Sequence, residues 1–178
     1  IYFNQGDYDK AIDYCSQGLK IREEMDDKKS IATSLNNMGM IYFNQGNYDK
    51  AIDYCSQSLK IKEEIGFKMG IASSLINIGK IYKAQGDYDK AINYYSQSLK
   101  ISEEIRDKNG IAGSLNSIGN IYYEQGNYEK ALDFSNRSLA ISQEIGTVQQ
   151  IKNSAELLWK INKKRRNYKK SLEMFELY

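Results

Sequence analysis

The sequence contains no histidine, which removes the side chain that most often acts as a general base or holds zinc and iron. It contains no proline, so no helix can carry a proline kink. It also lacks a Gly-rich phosphate loop, a nucleophile beside a base, and any metal-ligand spacing. We therefore expect no enzymatic activity, no metal and no cofactor.

Long apolar runs and a charge excess of one sign are absent too. No run approaches the ~18 apolar residues of a membrane-spanning helix, so we expect no membrane span in these residues. The 25 Lys and Arg residues are nearly balanced by 23 Asp and Glu residues, which leaves a net charge of +2. This mixed surface differs from the strongly basic surface of a nucleic-acid-binding domain, so we expect no nucleic-acid partner.

The sequence does contain an internal repeat of 40 residues, without insertion or deletion. Residues 41–51 occur first from Ile1, return from Ile81 and Ile121, and return in a degraded form from Ile161. Each close copy holds a Gly that can end a helix, followed by an Asp or Asn that can cap the next one. Bends are therefore predicted at residues 6–7, 46–47, 86–87, 126–127 and 166–167. Because Ile1 falls inside a repeat, we expect the sequence to be part of a longer protein.

These bends predict an all-α chain of antiparallel helix pairs, with helix A before each bend and helix B after it. Residues 1–4 are the end of a first helix A, and Asp7 and Asp27 are predicted N-caps. The predicted helices span residues 7–25, 28–44, 47–65, 68–84, 87–105, 108–124, 127–145 and 148–165, with a last helix from Asn167. One pair cannot bury its apolar faces alone. We therefore predict a single solenoid over residues 1–178, with a degenerate terminal repeat at 148–178.

Three side-chain patterns predict packing. Gly39, Gly79 and Gly119 lie within helices, at a cost of ~1 kcal/mol each relative to Ala, and so indicate close contact with a neighbouring helix. Cys15 and Cys55 occupy one slot in successive repeats, at least ~8–10 Å apart, which is too far for a disulfide. We predict two free, buried thiols. Charged residues of helix B predict a solvated outer face: Asp49, Lys50, Asp53, Lys60, Lys62, Glu63 and Glu64.

Large, small and aromatic residues recur at fixed positions of each pair. In one repeat they are Leu35, Met38, Gly39, Tyr42, Gly46, Tyr48, Ala51, Cys55, Ser58 and Leu59. In the next they are Leu75, Ile78, Gly79, Tyr82, Gly86, Tyr88, Ala91, Tyr95, Ser98 and Leu99. This pattern resembles the tetratricopeptide repeat (TPR) over all but about the last 30 residues. The resemblance implies a right-handed superhelical solenoid.

The repeat departs from the common TPR in length. The usual repeat has about 34 residues, and the Pro that normally ends helix B is replaced by Glu23, Glu63, Glu103 and Gln143. The longer repeat resembles the subgroup of spindle-orientation adaptors, bacterial peptide-pheromone receptors and kinesin light chains. Residues 155–161 and 167–172 resemble the last repeat of bacterial signalling proteins, where such an array precedes a membrane helix and a kinase or DNA-binding module. This implies a sensing or scaffolding part of a larger signalling protein.

In the TPR family, helix A lines a concave groove that holds a peptide. The resemblance assigns this groove to Thr33, Asn36, Asn37, Met40, Phe43, Asn44, Ser73, Asn77, Lys80, Lys83, Asn116, Asn120, Tyr123, Lys160 and Lys163. Asn amides can both donate to and accept from a peptide backbone. The pairs Lys80 with Lys83 and Lys160 with Lys163 favour an acidic side chain or a terminal carboxylate. The partner expected is a protein or peptide, and the other interpretation is a solvated polar face without a ligand.

Three questions stay open on sequence alone. A basic cluster, Lys160, Lys163, Lys164, Arg165, Arg166, Lys169 and Lys170, marks either a solvated last repeat or a contact with an acidic partner or a membrane surface. Apolar ends, at residues 1–4 and at Leu172, Phe175 and Tyr178, favour end-to-end self-assembly as the alternative function. Free thiols favour the cytoplasm, whereas a periplasmic location would follow if the array preceded a membrane-bound kinase.

Overall fold

The computed structural model describes the backbone of residues 8–177 and the side chains of residues 8–176. Within these residues it contains nine α-helices and no strand, so the predicted all-α class is confirmed. They are α1 (Tyr8–Glu24), α2 (Lys28–Asn44), α3 (Tyr48–Glu64), α4 (Lys68–Ala84), α5 (Tyr88–Glu104), α6 (Lys108–Glu124), α7 (Tyr128–Ile145), α8 (Val148–Lys164) and α9 (Tyr168–Leu177). Even-numbered helices are helix A and odd-numbered helices are helix B.

The predicted helix bounds agree with the structure to within one residue wherever both can be compared. The predicted helix end at residues 1–4, the bend at 6–7 with its Asp7 cap, and Tyr178 lie outside the described residues. Asp27 caps α2 as predicted, since its Oδ1 accepts from the Ser30 N–H at 3.1 Å. Hydrogen bonds from the Ser30 hydroxyl and from the Ser30 N–H, made to the charged form, lower the pKa of Asp27.

Each bend is built from a left-handed residue and a side-chain cap. Gly46 has φ 78°. Its N–H donates to Phe43 O, and the Asn47 N–H donates to Tyr42 O, both at 2.9 Å, which closes the last turn of α2. The Asn47 side chain then accepts from the Lys50 N–H at 3.2 Å and begins α3. The short bend therefore turns the chain back on itself and makes α2 and α3 antiparallel neighbours.

Contacts divide the chain into two compact units, residues 1–91 (unit 1) and 92–178 (unit 2), with the boundary inside α5. In unit 1, α2 contacts α1 and α3, and α3 also contacts α4. In unit 2, α7 lies between α6 and α8, and α8 also contacts α9. Two of the helix B elements, α3 and α7, are therefore packed on two sides, as the apolar pattern of helix B predicts. That the whole chain forms one solenoid stays a prediction.

The close approach predicted at the mid-helix glycines is present in both units. A Cβ placed on Gly39 would lie 2.5 Å from Cys55 Sγ and 3.0 Å from Ala51 O, so α3 occupies the space that a side chain would need. A Cβ on Gly119 would lie 3.0 Å from Ser135 Oγ. The two Cys positions differ, however. Cys55 is fully buried and Cys15 only partly, so the prediction of two buried thiols is wrong for Cys15, and both are free.

Lys62 is not on the outer face where its charge placed it. The buried side of α3 consists of Ala51, Cys55, Ser58 and Lys62, and the Lys62 side chain is only 4% exposed. These residues follow a spacing of three and four, so the helical period, rather than residue polarity, decides which side chains are buried. Lys62 Nζ donates to the Ser74 hydroxyl at 2.8 Å, across the contact between α3 and α4.

Candidate peptide-binding surface

The predicted groove residues of unit 1 lie on α2 and α4. Thr33, Asn37, Asn44, Ser73 and Lys80 are exposed, whereas Asn36, Met40, Phe43, Asn77 and Lys83 are partly buried. The Thr33 hydroxyl donates to Lys29 O at 2.9 Å, so it is held by its own helix. The Phe43 ring packs against Tyr48, with centroids 5.9 Å apart. The predicted groove residues of unit 1 therefore include exposed side chains as well as side chains that already pack or hydrogen-bond within the protein.

A hydrogen bond joins two of the predicted site residues, Asn36 and Asn77, to each other. Asn77 Nδ2 donates to Asn36 Oδ1 at 3.1 Å, which joins α2 to α4. Ser74 lies beneath this pair, 3.5 Å from Asn36 Oδ1, and also accepts from Lys62. Asn37 and Asn77 occupy identical positions of the repeat, but the structure pairs Asn77 with Asn36.

In unit 2, side chains from α6 and α8 enclose a recess of about 160 Å³, here called the polar recess. It is lined by Asn116, Asn120, Asn153, Glu156, Leu157 and Lys160. Three of these, Asn116, Asn120 and Lys160, are predicted site residues. Lys160 Nζ and Glu156 Oε1 form an ion pair at 2.6 Å within α8. The recess therefore combines amide groups with a compensated pair of charges.

One polar atom beside this recess lacks a partner. Asn116 Oδ1 is shielded from solvent and accepts no hydrogen bond. Asn116 occupies the repeat position of Asn36, and Leu157 occupies that of Asn77. Because Leu157 carries no donor, the bond that joins Asn36 to Asn77 in unit 1 cannot form at the equivalent place in unit 2.

A second cavity of unit 2, about 530 Å³, lies where α6, α8 and α9 meet and is called the basic recess. It is lined by Tyr123, Trp159, Lys160, Lys163, Lys164, Arg166 and Tyr168. The Lys163 ammonium lies 5.3 Å from the centroid of the Trp159 ring. Predicted residues Tyr123, Lys160 and Lys163 are thus brought together, on an aromatic surface that carries several cations.

The basic recess collects residues that depart from the repeat. Trp159 stands at the position of Gly39 and Gly119, and Arg166 at the position of Gly46. Arg166 keeps the left-handed backbone of that bend, with φ 58°. The Trp159 ring packs on Phe175, with centroids 5.9 Å apart, at the position where Gly39 faces Cys55 and Gly119 faces Ser135. Each departure is visible in the sequence, but their meeting in one cavity is not.

Burial also shifts the pKa values of three groups that lie outside both recesses. Desolvation by burial lowers the pKa of Lys62. Its hydrogen-bond partner Ser74 carries no charge that would offset this effect. Desolvation raises the pKa of the Cys55 thiol to about 11, which makes it a poor nucleophile at neutral pH. Desolvation and the nearby Glu124 charge raise the pKa of Tyr95. Burial in the packed interior is the main cause of all three shifts.

Within residues 8–176, no group of three or more Cys, Asp or Glu side chains is arranged to hold a metal ion. None of the helices described combines the length and the apolar character that crossing a membrane requires.

The sequence matches a family model described as "Tetratricopeptide repeat" in three overlapping segments, residues 1–64, 30–104 and 70–144. The chain belongs to the tetratricopeptide repeat family. This confirms the family predicted from the recurring Gly, Tyr and Ala positions. TPR arrays are generally interaction scaffolds without catalytic activity, and their fold is typical of protein–protein interaction. A search of curated protein sequences gave no match.

Solved TPR-like structures share the fold at low sequence identity. BtubC (BKLC) from P. vanneervenii superposes with a TM-score of 0.85 and 21% identity, over 98% of this chain and 73% of that one. A Rap protein complexed with Competence and Sporulation Factor gives a TM-score of 0.83 and 20% identity, over 98% of this chain and 49% of that one. A STAND protein with a TPR sensor, from Pyrococcus horikoshii, superposes with a TM-score of 0.77 and 21% identity, over 96% of this chain and 26% of that one. These likenesses confirm the helical-solenoid fold class.

Proposed function

We propose that this TPR chain is a protein-interaction module that binds a peptide or partner segment on its helix A surface, as part of a larger signalling protein. The observation that carries the proposal is the pair of adjacent recesses in unit 2, which share Lys160. The similar Rap protein was solved with Competence and Sporulation Factor bound, and another similar protein carries a TPR sensor. No catalytic role is proposed.

The charges of the basic recess favour an acidic segment or a terminal carboxylate as the bound group. Lys163, Lys164 and Arg166 line the recess, and all three side chains are exposed. Tyr123, Trp159 and Tyr168 add aromatic surface. A carboxylate beside the cations would gain charge-assisted hydrogen bonds, while an apolar neighbour would cover the rings.

Display of a random peptide library on the purified chain tests the proposal, followed by titration calorimetry of the selected peptides. Two groove variants each change two amides and two lysines to Ala: Asn37, Asn77, Lys80 and Lys83 in unit 1, and Asn116, Asn120, Lys160 and Lys163 in unit 2. Their matched control changes two amides and two lysines on the outer face of helix B to Ala: Gln57, Lys60, Gln97 and Lys100.

We expect at least one groove variant to lose about tenfold or more in affinity, while the control binds like the wild type. Equal affinity in all four proteins would remove the helix A surface as the binding site. Failure to select any peptide would count against peptide binding itself.

Self-association is a second candidate, because apolar side chains are exposed on the first and last described helices. Tyr14 and Ile21 on α1 are more than half exposed, as are Met25 just after α1 and Leu172 and Phe175 on α9. Such stripes are typical of surfaces that another chain covers. Analytical ultracentrifugation over a range of concentrations decides this. A strict monomer would eliminate self-association, and a reversible dimer that is lost in Leu172→Glu would support it.

A further inference from the structure

We infer that the polar recess of unit 2 is a subsite for a primary carboxamide, the side-chain group of Gln or Asn, on the bound segment. The inference rests on the proposed function and adds the chemistry that one part of the surface recognises. The observation behind it is a difference between Asn36 in unit 1 and Asn116, which occupies the same repeat position in unit 2.

In unit 1 the two positions satisfy each other. Asn77 Nδ2 donates to Asn36 Oδ1 at 3.1 Å, so this acceptor is occupied. In unit 2 the equivalent acceptor, Asn116 Oδ1, has no partner, because the donor position is held by Leu157. An acceptor shielded from water and left unpaired is unfavourable, so a ligand N–H that satisfied it would be bound more tightly.

The recess beside Asn116 has room for such a group. Its volume is about 160 Å³, and its walls are mostly polar. The terminal torsion of an Asn side chain is broad, so the amide can turn toward the recess without leaving its rotamer. The missing hydrogen bond therefore lies next to an opening rather than in a closed core.

The remaining wall residues favour a neutral group that both donates and accepts. Glu156 and Lys160 already neutralise each other at 2.6 Å, so an entering ion would have to compete with that pair. Asn153 Oδ1 accepts from Gln149 Nε2 at 2.9 Å, which leaves the Asn153 NH₂ group to donate to a ligand carbonyl. A primary carboxamide offers an N–H to Asn116 and a C=O to Asn153 at once.

The test uses small probes and NMR spectra of the ¹⁵N-labelled protein. N-acetylglutamine methylamide carries the carboxamide, and N-acetylglutamate methylamide and N-acetylmethionine methylamide match its size without the NH₂ group. N-acetylalanine methylamide carries only backbone amides and so separates backbone from side-chain recognition. We expect the glutamine probe to shift the Asn116 and Asn153 side-chain signals with about tenfold higher affinity than the other three.

Two variants complete the test. Asn116→Ile places at this position the residue that the chain itself uses at Ile76, and removes the unpaired acceptor. We expect it to raise the midpoint of thermal unfolding by about 2–4 °C and to abolish the glutamine-specific shifts. Asn36→Ile breaks an existing pair, so it should lower the midpoint and leave probe binding unchanged.

Shifts that persist in Asn116→Ile, or no preference for the glutamine probe, would overturn the subsite. So would the absence of any probe-induced shift at Asn116. If selected peptides bind the helix A surface without a Gln or Asn requirement, the subsite fails while the proposed function stands. If no peptide binds although the glutamine probe does, the proposed function fails and the subsite stands.

Discussion

Lys62 shows at the scale of one residue how periodicity and polarity can disagree. Its spacing from Ala51, Cys55 and Ser58 places it on the buried side of α3, whereas its charge argues for the outer face. In the structure Lys62 is buried, as its spacing predicts, and its ammonium donates a hydrogen bond to the Ser74 hydroxyl. A buried ammonium without a carboxylate partner is destabilising, and replacement by an apolar residue of similar length often stabilises a protein.

We therefore expect Lys62→Met to increase the free energy of unfolding by about 1–3 kcal/mol at pH 7, measured by urea unfolding. Burial lowers the pKa of Lys62 below its ordinary value of 10.5, so the unfolded chain binds this proton more tightly than the folded chain. Wild-type stability then rises with pH between the folded pKa and 10.5. The advantage of Lys62→Met should shrink as the pH approaches 10.5.

Lys60→Met is the control, because Lys60 is an exposed neighbour on the same helix. It should change the free energy of unfolding by less than about 0.5 kcal/mol at any pH. A destabilised Lys62→Met, or an advantage that grows with pH, would show that the ammonium is better solvated than its burial indicates.

Arg166 is the second residue whose position conflicts with its type. It holds φ 58° where Gly46 and Gly126 hold φ 78° and 76°. A non-Gly residue in this conformation costs about 1 kcal/mol. Arg166→Gly should therefore stabilise the chain by about 1 kcal/mol in urea unfolding, and Gly126→Arg should destabilise it by a similar amount. An acidic peptide should nevertheless bind Arg166→Gly more weakly, since the basic recess loses a cation. Tighter binding by this variant would contradict that role.

At the scale of helices, the sequence predicts almost all of the observed structure. In the described residues, each bend from helix A to helix B has a residue with a positive φ before the Asp or Asn that caps the next helix, and this residue is Gly except at Arg166. The helix bounds were therefore predictable to within one residue. The pairing between helices was less predictable. Asn77 hydrogen-bonds to Asn36, although Asn37 is the residue at its own repeat position, and no pattern within one helix encodes which side chains of two neighbouring helices meet.

Two glycines within helices should respond to Ala in opposite directions. Gly39→Ala places a Cβ 2.5 Å from Cys55 Sγ and 3.0 Å from the Ala51 backbone oxygen, so we expect a net loss of about 1–3 kcal/mol. A Cβ on Gly113 has its nearest neighbour, Gln150 Nε2, at 3.6 Å. Gly113→Ala should gain about 1 kcal/mol from helix propensity alone. Thermal unfolding of both variants measures this, and an equal response would mean that α3 can yield to the added methyl group.

At the scale of the whole molecule, membership of the TPR family was predictable, because it depends on residues that recur every 40 positions. The site was predictable only in part. Asn116, Asn120, Tyr123, Lys160 and Lys163 do line the two recesses of unit 2. Arg166 already belongs to the basic cluster seen in the sequence, whereas Trp159 and Tyr168, seven residues before it and two after it, were placed in the same recess only by the structure. The unpaired acceptor of Asn116 could be recognised only once its neighbour was known to be Leu157.

The central claim is that a partner segment binds the helix A surface of unit 2. The NMR footprint of a display-selected peptide on the ¹⁵N-labelled chain tests it most directly. We expect the largest backbone shifts on α6 and α8, around Asn116, Asn120 and Lys160. Shifts confined to the outer face of α7, around Asp133 and Arg137, would contradict it.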